Sequence, residues 1–167
     1  MQPEVEVLFE QTMNRLISVL EGMTENQINI VPFPGSWTAG QVGDHLYRSY
    51  WVIETLNGTT KVTSRPVDKK TPDIKALFLN FDIKMNSPEA ILPSKDYLEK
   101  DHLIKNLKAR ILQFTEFIKK EDLSLICKDF KIPEYGPFTR LEWVYFTIYH
   151  TMRHCNQIEK IKVKLTE

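Results

Sequence analysis

Four segments of this chain place apolar residues at intervals of three and four, and proline or glycine interrupts the stretches between them. This spacing puts the apolar side chains on one face of an α-helix, which is stable only when other elements cover it. The predicted helices cover Pro3–Gly22, Thr38–Gly58, a range from near Asp96 or Asp101 to Lys120, and Arg140–Val163. Four long helices predict an all-α fold, a four-helix bundle.

Two capping boxes mark the starts of the second and fourth helices. Thr38 is followed three residues later by Gln41, and Thr139 is followed by Glu142. In each pair the two side chains satisfy backbone N–H groups that the start of a helix leaves open. The helix after Thr139 is apolar on more than one face, which is typical of a central helix.

A long connection, Thr59–Lys95, joins the second and third helices. Within it we predict a short helix over Asp73–Phe81, with Thr71 as its cap. The connection predicts a long crossover between helices 2 and 3 of the bundle. Prolines in the stretch Ile126–Phe138 argue against a paired strand there.

The chain is electrically balanced, with 22 Lys+Arg and 22 Asp+Glu among 167 residues. This length predicts a single domain, residues 1–167. Because the charges balance, the chain has no excess of positive charge to attract phosphates, so we expect no nucleic-acid partner. No apolar run is long enough to span a membrane, and the acidic first ten residues do not resemble a signal peptide. Cys127 and Cys155 are expected to be reduced thiols, so a cytoplasmic location is predicted.

Three of the four histidines are placed where they could share a metal ion. His150 and His154 are four residues apart on the fourth helix, so both imidazoles can reach one point. His45 on the second helix is the third candidate, since facing helices of a bundle lie 8–10 Å apart. Taken alone, this spacing is more often a pair of surface or hydrogen-bonded core histidines. His102 lies beside Asp101 at a helix start and is interpreted as solvated.

Other catalytic arrangements are excluded by the residues around the histidines. Thr151 follows His150, so the Glu that serves as general base in His-Glu-x-x-His metalloproteases is missing. No Gly-x-Ser-x-Gly elbow and no glycine-rich phosphate loop occur. Cys155 adjoins His154 in sequence but points about 100° away on the helix, so it is expected to pack in the core.

Two stretches, Gly35–Leu46 and His150–Ile158, resemble the DinB-like/YfiT-like superfamily. The resemblance implies a bundle of up-down-down-up character, one divalent metal ion and often a homodimer. It assigns the metal ligands to His45, His150 and His154. Gln157 matches a polar position after the last ligand. Arg153 stands where the family more commonly has a histidine, and that position is not a ligand.

Imidazole ligands suit several metals, of which zinc and nickel are the leading candidates. Some members of the resembled superfamily transfer a thiol. The resemblance therefore implies that this chain is a metal-dependent, bacillithiol-type S-transferase, whose partners are a small-molecule thiol and an electrophile. Two alternatives remain open at this stage. One is a hydrolase that uses a metal-activated water, and the other is a non-catalytic, stress-related metal-binding protein. No catalytic or substrate-binding residue is predicted beyond the metal ligands.

Overall fold

A computed structural model describes residues 2–167 of the chain. Most of this range is helical, with one small antiparallel sheet and one 3-10 turn. The elements are α1 (Gln2–Glu21), α2 (Glu25–Ile28), α3 (Ala39–Ser49), α4 (Val52–Asn57), β1 (Thr60–Lys61), α5 (Thr71–Leu79), the 3-10 turn Glu89–Ile91, α6 (Lys100–Lys120), β2 (Ile126–Cys127) and α7 (Arg140–Thr166).

The bundle is formed by α1, α3, α6 and α7. Helix α1 packs against α6 and α7, and α3 packs against the same two helices. Helix α5, from the long crossover, lies along α7. The predicted all-α four-helix bundle is therefore confirmed. Among residues 2–167, no helix combines the length and the apolar character that crossing a membrane would require.

The second predicted helix is not continuous. Helix α3 ends at Ser49 and α4 begins at Val52. At the junction the backbone N–H of Trp51 donates to the carbonyl of Arg48 at 3.2 Å, the tighter i→i−3 pattern of a 3-10 turn. Tyr50, at this turn, is buried and its hydroxyl lies 2.8 Å from that of Thr151 on α7. The turn thus places a polar aromatic side chain in the core, which apolar periodicity does not report.

The prediction that Ile126–Phe138 contains no paired strand was wrong. Ile126 and Cys127 pair with Lys61 and Thr60 in a two-stranded antiparallel sheet. The prolines of this stretch come later in the chain, so both residues of β2 keep their N–H groups. The Cys127 N–H donates to the carbonyl of Phe138 at 2.9 Å.

Both predicted capping boxes are present. Thr38 exchanges hydrogen bonds with Gln41, and Thr139 does so with Glu142. Helix α2 carries a third box, Thr24 with Gln27, which the sequence prediction overlooked. The short crossover helix begins at Thr71 and ends at Leu79, earlier than predicted, and Thr71 is its first residue rather than its cap.

Helix α7 is the central element, and over residues 140–151 its buried residues lie around the whole circumference. The start of α3 lies close to α2, and Gly40 permits this approach. A Cβ at Gly40 would lie 2.8 Å from the carbonyl oxygen of Ile28. This packing and the α3–α7 contact bring the first turns of α3 next to the middle of α7.

Candidate metal centre

The three predicted histidines meet between α3 and α7. The Nε2 atom of His150 lies 3.1 Å from Nε2 of His45 and 3.1 Å from Nε2 of His154. The three residues are only 2%, 8% and 9% exposed for His45, His150 and His154. The fourth histidine, His102, lies exposed in the first turn of α6, as expected.

Hydrogen bonds at Nδ1 fix the tautomers of two of these imidazoles. His45 Nδ1 lies 2.9 Å from the carbonyl oxygen of Ile91, which can only accept, so this nitrogen carries the proton. The hydroxyl of Ser87 lies 3.1 Å from the same nitrogen. His154 Nδ1 lies 2.7 Å from the side-chain oxygen of Gln157, assigned as the acceptor. Both residues therefore turn an Nε2 lone pair towards His150.

Burial keeps the cluster neutral. Desolvation is the largest effect on each histidine: it lowers the pKa of His45, places the pKa of His150 well below 6.5 and brings the pKa of His154 to about 3. The neighbouring imidazoles lower the pKa of His150 and His154 further, since a second positive charge would lie close by. At neutral pH all three rings keep a free lone pair, the form that binds metals.

This donor set fits a divalent transition metal. The three ligand nitrogens lie within 4.8 Å of one another, and within residues 2–167 no carboxylate or thiol joins the group. Neutral imidazoles suit zinc, nickel, copper and iron, whereas calcium and magnesium prefer oxygen ligands. An ion held by the three histidines would keep a coordination position for water or substrate, the arrangement found in catalytic rather than structural zinc sites.

Aromatic rings form the walls around the cluster. The ring of Trp37 lies 5.1 Å from that of His45, measured between centroids. Phe78 and Phe146 lie 5.2 and 5.9 Å from the ring of His150. These rings exclude water from the imidazoles, in agreement with their lowered pKa values.

Three residues that contact the clustered histidines were not assigned this role from the sequence. Gln157 follows His154 by three residues, one helical turn, and this spacing was the signal that could have revealed the contact. Ser87 and Ile91 reach His45 from the long crossover, and no local pattern marks them. Cys155 is fully buried, and burial raises the pKa of its thiol to about 12, so it packs in the core as predicted.

Comparisons with known proteins agree with this architecture. The model of the DinB superfamily matches residues 8–158, so the chain belongs to this superfamily. The uncharacterized protein YuaE of Bacillus subtilis (strain 168) is 21% identical over 161 residues, 95% of this chain and 97% of YuaE. The solved structure of YfiT from Bacillus subtilis, described as a probable metal-dependent hydrolase with an unusual four-helix bundle topology, is similar in fold. It has a TM-score of 0.61 and 17% sequence identity, over 99% of this chain and 87% of YfiT.

Proposed function

We propose that this member of the DinB superfamily binds one divalent metal ion, zinc or nickel, through His45, His150 and His154, and transfers a small-molecule thiol to an electrophile. The observation that carries the proposal is the convergence of three neutral, buried imidazole nitrogens with no acidic side chain among them. The three histidines would hold the ion, which would supply the Lewis acidity that lowers the pKa of a bound thiol or water.

The lack of a carboxylate in the cluster favours a thiol as the nucleophile. A thiol has an ordinary pKa near 8.5, so a small shift makes it ionised at neutral pH without a general base. Water starts from a pKa of 15.7 and gains more from a positioned base. The three imidazoles add no negative charge, so the full charge of the ion remains available to a thiolate.

The surrounding side chains contribute orientation and exclusion of water. The acceptors Ile91 and Gln157 hold the imidazoles of His45 and His154 in the ligating tautomer. Trp37, Phe78 and Phe146 offer apolar ring faces beside the histidines, where the apolar part of an electrophile can pack.

A metal-dependent hydrolase is the second candidate. The description of YfiT, similar in fold over nearly the whole chain, favours it. The ion held by the same three histidines would then acidify a bound water. In this case water would have to attack the substrate without the help of a carboxylate base among the three ligands.

The test is turnover by protein from which metal has been removed and then restored. Zinc- or nickel-loaded protein is mixed with monochlorobimane and a panel of thiols, bacillithiol among them, and separately with an activated ester without thiol. We expect bimane conjugation that requires both metal and thiol and is absent in His150→Ala. Ester hydrolysis without conjugation would replace the transferase with the hydrolase, and equal metal content in His150→Ala and wild type would contradict both.

A further inference from the structure

Segment 80–91, which runs from the end of α5 through the 3-10 turn, passes over the metal centre, and its first part is only weakly anchored by apolar packing. Residues 80–88 have no helix or strand. The apolar side chains of Phe81, Ile83 and Met85 are 46%, 42% and 40% exposed. A segment with so little buried surface opens easily unless polar contacts hold it.

One of its two polar anchors is Arg153. Its Nη1 donates to the carbonyl oxygens of Phe78 at 3.3 Å and Asn80 at 2.8 Å, and its Nη2 donates to the carbonyl of Ile83. Within residues 2–167 we find no carboxylate paired with this guanidinium. A planar fork with five N–H donors can serve three carbonyls at once, whereas an ammonium group cannot match that geometry.

The other anchor is a metal ligand. The carbonyl of Ile91 and the hydroxyl of Ser87 contact Nδ1 of His45. At the Arg153 end, the ring of Phe78 packs against His150, and Arg153 itself directly precedes His154. The segment is therefore fastened on both sides of the cluster, and its arginine anchor lies on the helix that carries two of the ligands.

We propose that Arg153 is a positioning residue that fastens segment 80–91 over the three histidines and thereby keeps Ile91 and Ser87 on His45. The inference rests on the metal site proposed above, for which the oriented His45 is a ligand. Loss of the guanidinium frees the segment, and the imidazole of His45 loses the acceptors that hold its tautomer and ring direction.

Digestion with trypsin tests directly whether the segment is held in place, because Lys84 lies within it. Lys131, in the exposed loop after β2, serves as an internal reference site. Metal-free wild type, Arg153→Met, Arg153→Lys and the matched control Lys160→Met are digested under native conditions. We expect cleavage after Lys84, relative to Lys131, to be about tenfold faster in Arg153→Met. Arg153→Lys should be intermediate, and Lys160→Met, an exposed change on the same helix, should behave as wild type.

Cobalt binding is the second readout. We expect Arg153→Met to bind Co²⁺ about tenfold more weakly than wild type, with an altered absorption spectrum. Equal acceleration at Lys84 and Lys131, unchanged cleavage at Lys84, or unchanged cobalt affinity would each overturn the inference. If wild type itself binds no cobalt, the proposed function fails, while the protease result still reports on the fastening.

Discussion

Helix α7 carries two buried polar clusters that differ in how their groups are paired. In its first turn Glu142 is fully buried, and its carboxylate accepts two hydrogen bonds from Arg65, both at 2.7 Å. The backbone N–H groups of Lys70 and Thr139 each donate to it at 2.9 Å. Donors and acceptors match, so this cluster is complete within the protein.

Two turns further along the helix, the histidine cluster is not complete. His45 and His154 both direct an Nε2 lone pair towards Nε2 of His150, which can offer at most one proton in return. Acceptors that converge on one point call for a cation. Matched buried polar groups thus stabilise the fold, whereas unmatched ones mark a binding site.

The largest effect on stability is expected from Glu142→Ala. The change leaves Arg65, whose side chain is 19% exposed, without its partner, and it removes the half of the α7 capping box in which Glu142 accepts from the N–H of Thr139. We expect the free energy of unfolding to fall by about 3–5 kcal/mol, measured by urea denaturation. The matched control is Glu159→Ala, which breaks an exposed ion pair with Arg15 and should cost about 1 kcal/mol or less. Equal losses of unfolding free energy in the two variants would show that burial of the Glu142–Arg65 pair does not raise its contribution to stability.

His154→Ala should have the opposite profile. Removing one of three ligands is expected to weaken zinc or nickel binding by about 100-fold or more, measured by competition with a chelator. The metal-free variant should lose less stability than Glu142→Ala, because the change leaves no unpaired charge behind. His102→Ala, which changes an exposed histidine outside the cluster, should bind metal as wild type does. Loss of binding in that control would refute the assignment of ligands.

A smaller effect is expected at Gln157, which accepts from Nδ1 of His154 at 2.7 Å. Gln157→Leu keeps the size of the side chain but removes the acceptor, so metal affinity should fall about tenfold. Gln157→Glu keeps an acceptor at the same place and should retain or increase affinity. Identical affinities for the two variants would show that this hydrogen bond does not orient the ligand.

The smallest effect concerns pH. Burial holds the pKa of His150 and His154 below the value of 6.5 that applies in the unfolded chain, so the unfolded state takes up protons first as pH falls. Stability of the metal-free protein is therefore fully present above about 6.5 and falls progressively from there towards the folded-state pKa, which is about 3 for His154, with a loss of about 1 kcal/mol between pH 7 and pH 6. Denaturation at the two pH values measures this loss. A variant that lacks both His150 and His154 should lose less stability between the two pH values. A wild-type protein that is more stable at pH 6 than at pH 7 would contradict the lowered pKa values of these histidines.

Predictions about individual helices were confirmed where they depend on residues that are close together in the chain. The boxes Thr38–Gln41 and Thr139–Glu142 form as predicted, because each partner lies within one turn of the other. The interruption at Tyr50 and the pairing of β2 with β1 were missed. Both depend on partners far along the chain, Thr151 for the tyrosine and Thr60–Lys61 for the strand.

The sequence alone determined the all-α class and placed His150 and His154 on one helical face, since one turn of helix fixes the distance between them. The distance between facing helices of a bundle made His45 a candidate partner, and the resemblance to a family then assigned it as the third ligand. Only the tertiary structure brought His45, 105 positions from His150, to 3.1 Å, and only it supplied Arg65 for Glu142 across 77 positions. Periodicity tells which face of a helix is buried, but the packing of helices and crossover decides what that face meets.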